Sequence, residues 1–402
     1  MGLRSRTLGL FAGLLLALAG GVASVSAQDD VPRGGEYAIT NTGHQIRRWP
    51  VVWDLSVDYV FFWYNPRPGF PGLITTGSIA DTTPGAFGQP NTVVLQDAAA
   101  RQPQRPAGQV TFTYFLVDPE AMSIRASFFL IETRSMRQAF SSDATGFPLI
   151  ARPFFNVDTG AEDAIVLADP GAFVGSASES IRTRIMGADA NLRLHTPSIY
   201  YSSSGITLFG GMRWFRLEET YESFDTSTDI TGAVISRTFS DRFQARNEFW
   251  GAQLGVEAQY QFFGITFSAM GKVAAGPVHQ TLIISGATSE TDLTTGVVTA
   301  DTQGIYARPS NVGTYRRSRF ALMPEAGGKA SIPLSHTLSV HVAYSVFSLT
   351  EAIRPVDHID RRVSVVPLGA GTTVGSGFPP PPTFQSHTFV GQMFNIGLEL
   401  RY

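Results

Sequence analysis

Seven histidines, at positions 44, 195, 279, 336, 341, 358 and 387, are the side chains best suited by type to proton transfer or metal ligation. None stands in a ligand spacing with acids on one helix face, and His336 and His341 would point to opposite faces of a strand, so no metal site is expected. The chain has no cysteine, which removes thiolate sites and disulfide frameworks. It contains no G-x-S-x-G elbow, phosphate loop or dinucleotide fingerprint, so no cofactor is expected. The one acid–base constellation is Asp357-His358 with Asp360, where a carboxylate could orient an imidazole. Its plainer reading is a solvated turn, and that of the acidic pair Glu218-Glu219 is two charges at the end of a strand. No catalytic residue is assigned, and a loop-borne surface hydrolase is the minor alternative. The basic run Tyr315-Arg316-Arg317-Ser318-Arg319 could bind an anionic surface polymer or lipid head groups, or simply stay in water.

The remaining chemistry is charge pairing, and it needs strands to position it. At the carboxy terminus Phe394, Ile396, Leu398, Leu400 and Tyr402 share one face, while Asn395, Gly397, Glu399 and Arg401 share the other. One face suits lipid and the other a wet lumen. Such alternation marks ten candidate strands, at about 51–64, 108–117, 121–133, 181–195, 204–217, 246–260, 261–275, 318–332, 335–349 and 390–402. The connections 65–107, 134–180, 218–245, 276–317 and 350–389 are long, whereas 118–120, 196–203, a reversal around Gln261 and a turn near Pro333 are short. Short periplasmic turns and long extracellular loops are the pattern of outer-membrane barrels, and would put both termini in the periplasm.

Along the first strand Trp53, Leu55, Val57, Tyr59, Phe61 and Trp63 oppose Asp54, Ser56 and Asp58. The two tryptophans come to lie roughly 23 Å apart along the membrane normal, at about 3.3 Å per residue and a tilt near 45°, which suits two aromatic girdles. Extending the assignment places Asp54, Asp58, Asp189, Glu257, Glu325 and Glu399 inside with Arg125, Arg193, Arg213, Lys272, Lys329 and Arg401. In the narrow interior of about ten strands these charges should pair and plug the lumen. Arginine should cost more at lipid-facing Leu254 than at lumen-facing Gln253. The five phenylalanines of 134–180 (140, 147, 154, 155 and 173) predict that this loop folds over the barrel mouth as a lid or packs on a neighbouring loop, and Pro379 to Pro382 predicts a stiff spacer.

Arg4 and Arg6, the apolar run Leu8 to Leu18 and the small residues Val25-Ser26-Ala27 predict a signal peptide over 1–27, cleaved near Ala27. Residues 28–50 would form a periplasmic segment and 51–402 the barrel with its loop cap. No later stretch reaches the roughly 20 apolar residues of a spanning helix. A net charge of −3 supplies no basic face for nucleic acid.

Several segments resemble a family of planctomycete outer-membrane β-barrel proteins. They are Ser127-Phe128-Phe129-Leu130 through Phe140-Ser141-Ser142-Asp143, Pro148 through Val157, Gly187 through Arg193, Gly210 through Glu219, and Pro90 through Leu95. The resemblance covers about Trp53 to Tyr402 and implies location and fold, with no reaction or ligand. The expected protein is all-β, a single antiparallel transmembrane barrel of about ten strands (8–12) in the outer membrane. Its expected role is structural or in surface interaction, with a narrow solute channel as the alternative. Outer-membrane lipid surrounds it, and its aromatic carboxy terminus would address the barrel assembly machinery.

Overall fold

Each of the ten expected strands forms, and together they close into a ring. The computed structural model describes residues 52–64, 70–95, 104–116, 122–196, 204–232, 235–364 and 379–402, with the backbone of 37–39 and 45–47. The expected signal peptide and most of 28–50 lie outside the described residues. Within that amino-terminal unit, Tyr37–Ile39 and Gln45–Arg47 pair as a short antiparallel hairpin. No helix among the described residues is long and apolar enough to cross a membrane.

The barrel strands are β1 (Trp53–Tyr64), β2 (Arg105–Phe115), β3 (Met122–Ser141), β4 (Phe173–His195), β5 (Ser204–Asp229), β6 (Ile235–Phe262), β7 (Ile265–Asp292), β8 (Gly313–Pro333), β9 (Leu338–Ala352) and β10 (His387–Arg401). Every sequential pair is antiparallel, and β10 returns to β1 with Arg401 opposite Asp54 and Gly391 opposite Tyr64. Trp53 and Tyr402 clinch the seam by exchanging two backbone hydrogen bonds, each 2.9 Å. The reversal expected around Gln261 falls two residues later, at Phe263 (φ 48°) and Gly264 (φ 77°). Positive φ at both central residues makes the hairpin turn that matches strand twist, and Gly264 supplies one of them without strain.

The faces follow the alternation. Leu254, Tyr59, Phe128, Leu192, Leu208 and Ile396 are exposed on the outside, while Asp54, Asp58, Arg193 and Glu257 are buried inside. Trp53 stacks with Phe112 (6.4 Å) and Tyr402 (5.6 Å) at the short-turn end. At the other edge of the band Trp63 meets Tyr344 (6.2 Å) and Trp214 meets Trp250 (6.1 Å).

Two long connections are largely strand. β5 and β6 are separated only by 230–234, so 218–245 is mostly sheet, and β7 continues to Asp292 within 276–317. A tilted spanning strand needs about 9–11 residues, so the 28 residues of β6 and of β7 carry the wall far beyond hydrocarbon. The wall is not uniformly tall. β8 pairs with β9 only from Pro333 up to Glu325, above which β8 stays with β7 and β9 with β10. The split begins at Pro324, which has no N–H to give a ladder. Above the ring, therefore, β3 to β8 form a curved half-wall, while β9, β10, β1 and β2 stop.

The connections cover the inner face of that half-wall. Ile150–Asn156 pairs with Ala161–Ala168 on one edge, and on the other with Thr75 antiparallel and with Arg362–Val363 parallel. Phe70, Ile74, Ile150, Phe154 and Leu167 pack there against Ile181, Tyr221, Phe243 and Leu282 of the wall. Segment 134–180 thus folds into the barrel mouth, Phe154 being 2% exposed, although Phe147 stays 64% exposed. Pro379 is no free spacer: it is buried and its carbonyl accepts from Ser310 Oγ (2.7 Å).

Leu254, 71% exposed near mid-band, is a direct test of the faces. Gln253 cannot serve as its control, since it is 1% exposed and donates to Asn191 (2.5 Å), so arginine there would meet a filled lumen. Gln259 is inward by parity and open at the rim. Leu254→Arg should destabilise by about 2–4 kcal/mol in reversible unfolding from lipid vesicles, and Gln259→Arg by under about 1 kcal/mol. Equal costs would mean the faces are misassigned.

Candidate functional site

Among the described residues, buried polar side chains converge in the lumen, and it is filled in layers. At the short-turn end the expected charges pair across the ring. Glu257 takes Arg193 (2.8 Å) and Arg125 (3.5 Å), while Glu325 takes Arg213 (2.5 Å) and Lys272 (3.4 Å). Lys272 also reaches Asp189 (3.1 Å), and Glu399 takes Lys329 (2.5 Å) and Arg401 (2.5 Å). Asp54 is buried beside Thr113 and Arg125. Asp58 has a partner the charge count missed, His341 Nε2 at 2.5 Å, in a site 4% exposed at the histidine. Gly397 makes room for that pair, because a Cβ there would lie 1.8 Å from Asp58 Oδ1 and 2.7 Å from the imidazole.

Above the charges lies an apolar layer that reading by alternation did not find. Phe62, Phe129, Phe215, Phe249, Phe347 and Phe389 point inward with Val60, Ile131, Ile185, Leu217, Val278 and Met323. Ring centroids of Phe215 and Phe347 are 5.6 Å apart, and those of Phe62 and Phe347 6.3 Å. Inward glycines on neighbouring strands accommodate the rings: a Cβ on Gly187 would meet Phe129 at 2.6 Å, and one on Gly391 would meet Phe347 at 2.6 Å. The signal was present in the sequence as loss of alternation, in runs such as Tyr59 to Tyr64 and Phe128 to Ile131, apolar on both faces.

The third layer is the cap, and each connection in it is fastened to the wall by a polar inward residue. Arg152, fully buried, donates from Nε (2.9 Å) and Nη2 (2.7 Å) to both oxygens of Asp225, and from Nη1 to Glu179 and to the Leu73 carbonyl (3.2 Å). Tyr221 Oη donates to the same Glu179 at 2.7 Å. Asp241 accepts the backbone N–H groups of Ile305 (3.2 Å), Tyr306 (3.1 Å) and Ala307 (2.7 Å). Tyr306 passes its hydroxyl to the Pro153 carbonyl (3.0 Å), and burial pushes that phenol far above its usual range. Asn247 and Ile353 exchange two hydrogen bonds (2.8 and 2.9 Å), and Glu219 holds Arg354 (2.8 Å).

A sequence profile of the family described as Putative beta barrel porin-7 (BBP7) matches residues 55–402. The chain belongs to this family. Membership places it in the outer membrane as a porin-like barrel, as the resemblance implied. No curated protein matches it. Among solved structures it is similar to the outer-membrane protease OmpT of Escherichia coli, at 9% identity over 88% of this chain and 97% of that one, TM-score 0.41. It is also similar to the translocator domain of the autotransporter NalP of Neisseria meningitidis (10%, 98% and 96%, TM-score 0.26) and to outer membrane phospholipase A of Escherichia coli (7%, 86% and 92%, TM-score 0.23). At these identities and scores the similarities carry nothing about activity.

For this BBP7 barrel the acid–base candidates separate. His358 lies in a short 3-10 helix, Pro355–His358, with Nδ1 against the Arg354 carbonyl (2.7 Å). That contact requires the proton on Nδ1, and Nε2 then accepts from Gln385 N–H (3.2 Å). Both nitrogens are used, and burial holds the imidazole below its usual pKa of 6.5, so it is a neutral structural histidine. Asp357 faces His387 instead (3.5 Å), and Asp360 pairs with Arg362 (2.6 Å). Glu218 and Glu219 sit on opposite faces of β5, so they do not act as a pair: Glu219 anchors Arg354, and Glu218 lies outside near Arg246 (3.7 Å). The basic run also divides, with Arg317 over the Phe384 ring (4.6 Å) and Arg316 exposed. No group of three His, Asp or Glu among the described residues is arranged to hold a metal.

Arg152 was hidden in sequence because one arginine in a loop reads as solvated. Replacing it with methionine leaves Glu179 and Asp225 buried without their cation, which should cost about 3–5 kcal/mol. Limited proteolysis should then cut within 70–95 and 143–172 while the ring keeps its resistance to heat and detergent. An unchanged cleavage pattern would remove Arg152 as the anchor.

Proposed function

We propose that this protein is a closed barrel that serves as a structural or surface-interaction element of the outer membrane, presenting a rigid cap rather than an open pore. The observation that supports it is the stacking of three occluding layers in one lumen: paired charges, interleaved phenylalanines and the bolted cap. The plug was expected from charges alone; the aromatic layer adds a barrier that ions cannot enter without losing hydration. A narrow channel for small solutes is the second reading, favoured by the porin in the family's description, and it requires the rings of Phe62, Phe215, Phe347 and Phe389 to part. The geometry of His358 gives a loop-borne hydrolase no support. Single-channel recording of the reconstituted chain should show little conductance, and Phe215→Ala with Phe347→Ala should raise it. A large, stable conductance from the unmodified protein would put the channel first.

In this reading the signal peptide ends near Ala27, residues 28–50 are periplasmic, and the cap faces outward, where it could meet an anionic surface polymer. The aromatic end of β10 would be what the assembly machinery engages. Epitope tags in 65–107 or 350–389 should then be labelled on intact cells and tags near Pro119 or Pro333 should not. Labelling in the reverse sense would invert the protein.

A further inference from the structure

The outer surface changes character abruptly along β4. Ala188, Ala190, Leu192 and Leu194 form one outward face, Met186 above them is outward by parity but covered (8% exposed), and the next two outward positions are Arg184 and Arg182, both exposed. Their inward neighbours Ile181, Thr183 and Ile185 are buried, which fixes the direction of the arginines. Arg137, exposed on β3, stands opposite Ser180, while Arg182 stands opposite Ser135, so Arg137 and Arg182 are diagonal neighbours across the strand pair.

On the neighbouring strands the same apolar-to-charged boundary is neutralised within the protein. On β5 and β6, just above Trp214 and Trp250, Arg216 pairs with Glu248 (2.8 Å), Arg246 faces Glu218 (3.7 Å) and Arg242 faces Glu222 (3.6 Å). Arg137, Arg182 and Arg184 make no ion pair among the described residues. Three carboxylates lie close without pairing to these arginines: Glu132 in the β3 irregularity, Glu218 opposite Arg184, which accepts from Gln244 (2.7 Å) and faces Arg246, and Glu222 opposite Ser180, which faces Arg242. At about 3.3 Å per residue and a tilt near 45°, Arg184 rises about 9 Å above Ala188, which is level in register with the girdle residue Trp214. That is head-group depth.

We propose that Arg137, Arg182 and Arg184 form a site for the phosphate of a membrane lipid in the leaflet on the cap side, whose acyl chain lies along Ala188 to Leu194. Guanidinium forks match phosphate oxygens bidentately. Continuity with the apolar strip selects a lipid over a free anion, because only a lipid uses both halves of the surface. Naming the outer leaflet rests on the sidedness proposed above; the lipid preference itself does not.

The test uses the full chain in phosphatidylcholine nanodiscs, with energy transfer from the girdle tryptophans to pyrene-labelled phosphatidic acid or phosphatidylcholine. Phosphatidic acid should be enriched about fivefold or more at the wall. The combined variant R137Q/R182Q/R184Q should lose that enrichment, while R242Q/E222Q, which removes a self-paired charge couple, should keep it. Resistance to heat and detergent reports whether the combined variant is folded; if it is not, R182Q and R184Q singly should each lower the enrichment. Equal enrichment in all proteins, equal behaviour of the two lipids, or displacement by millimolar inorganic phosphate would each overturn the proposal. These outcomes are independent of conductance, so the closed-barrel reading can fail without touching this one.

Discussion

Everything in this molecule depends on the requirement that no backbone N–H or C=O be left unpaired in hydrocarbon. Ten antiparallel strands meet it only because β10 finds β1, with Arg401 opposite Asp54 and a terminal clasp between Trp53 and Tyr402. Once the sheet is closed, each side chain has two environments and no third. A ring of this size is narrow, so inward side chains from opposite walls come into contact. Desolvated charges there must find partners, as Glu257, Glu325 and Glu399 do, and uncharged positions higher up fill with aromatic rings.

Beyond the hydrocarbon the closure requirement lapses, and the wall stops being a cylinder. β3 to β8 continue while their neighbours end, which exposes an inner sheet face that must be covered. The covering comes from the connections themselves. Each is held by a polar wall residue that would be costly to leave alone: Glu179 and Asp225 by Arg152, Asp241 by three backbone amides, Asn247 by Ile353, and Glu219 by Arg354. A buried carboxylate without its donor is penalised heavily, so these anchors specify where the cap sits more than they add to stability. This fastening of the cap is what the closed-barrel proposal rests on. On the outside, by contrast, charges are within reach of water and lipid, and pairing there is optional, so an unpaired set such as Arg137, Arg182 and Arg184 can be turned toward a partner.

Sequence alone determined the wall. Period-two alternation is a local property, so it named ten strands, their faces, the short turns and the inward charges, and the segments resembling a barrel family pointed to the membrane. It also misjudged strand ends, because alternation persists or fades without marking where hydrocarbon stops: 218–245 read as loop and proved to be mostly β5 and β6. What only the tertiary structure decided is who meets whom across the ring. Asp58 and His341 are 283 positions apart, and Arg152 is separated from Asp225 by 73. Such partnerships depend on register and on chain folding back into the lumen, neither of which leaves a local signature. The aromatic layer is the intermediate case. Its runs of consecutive apolar residues were visible, but a residue apolar on both faces looks the same whether its inner neighbour is water or another ring, and only closure of the barrel put Phe62, Phe215 and Phe347 together.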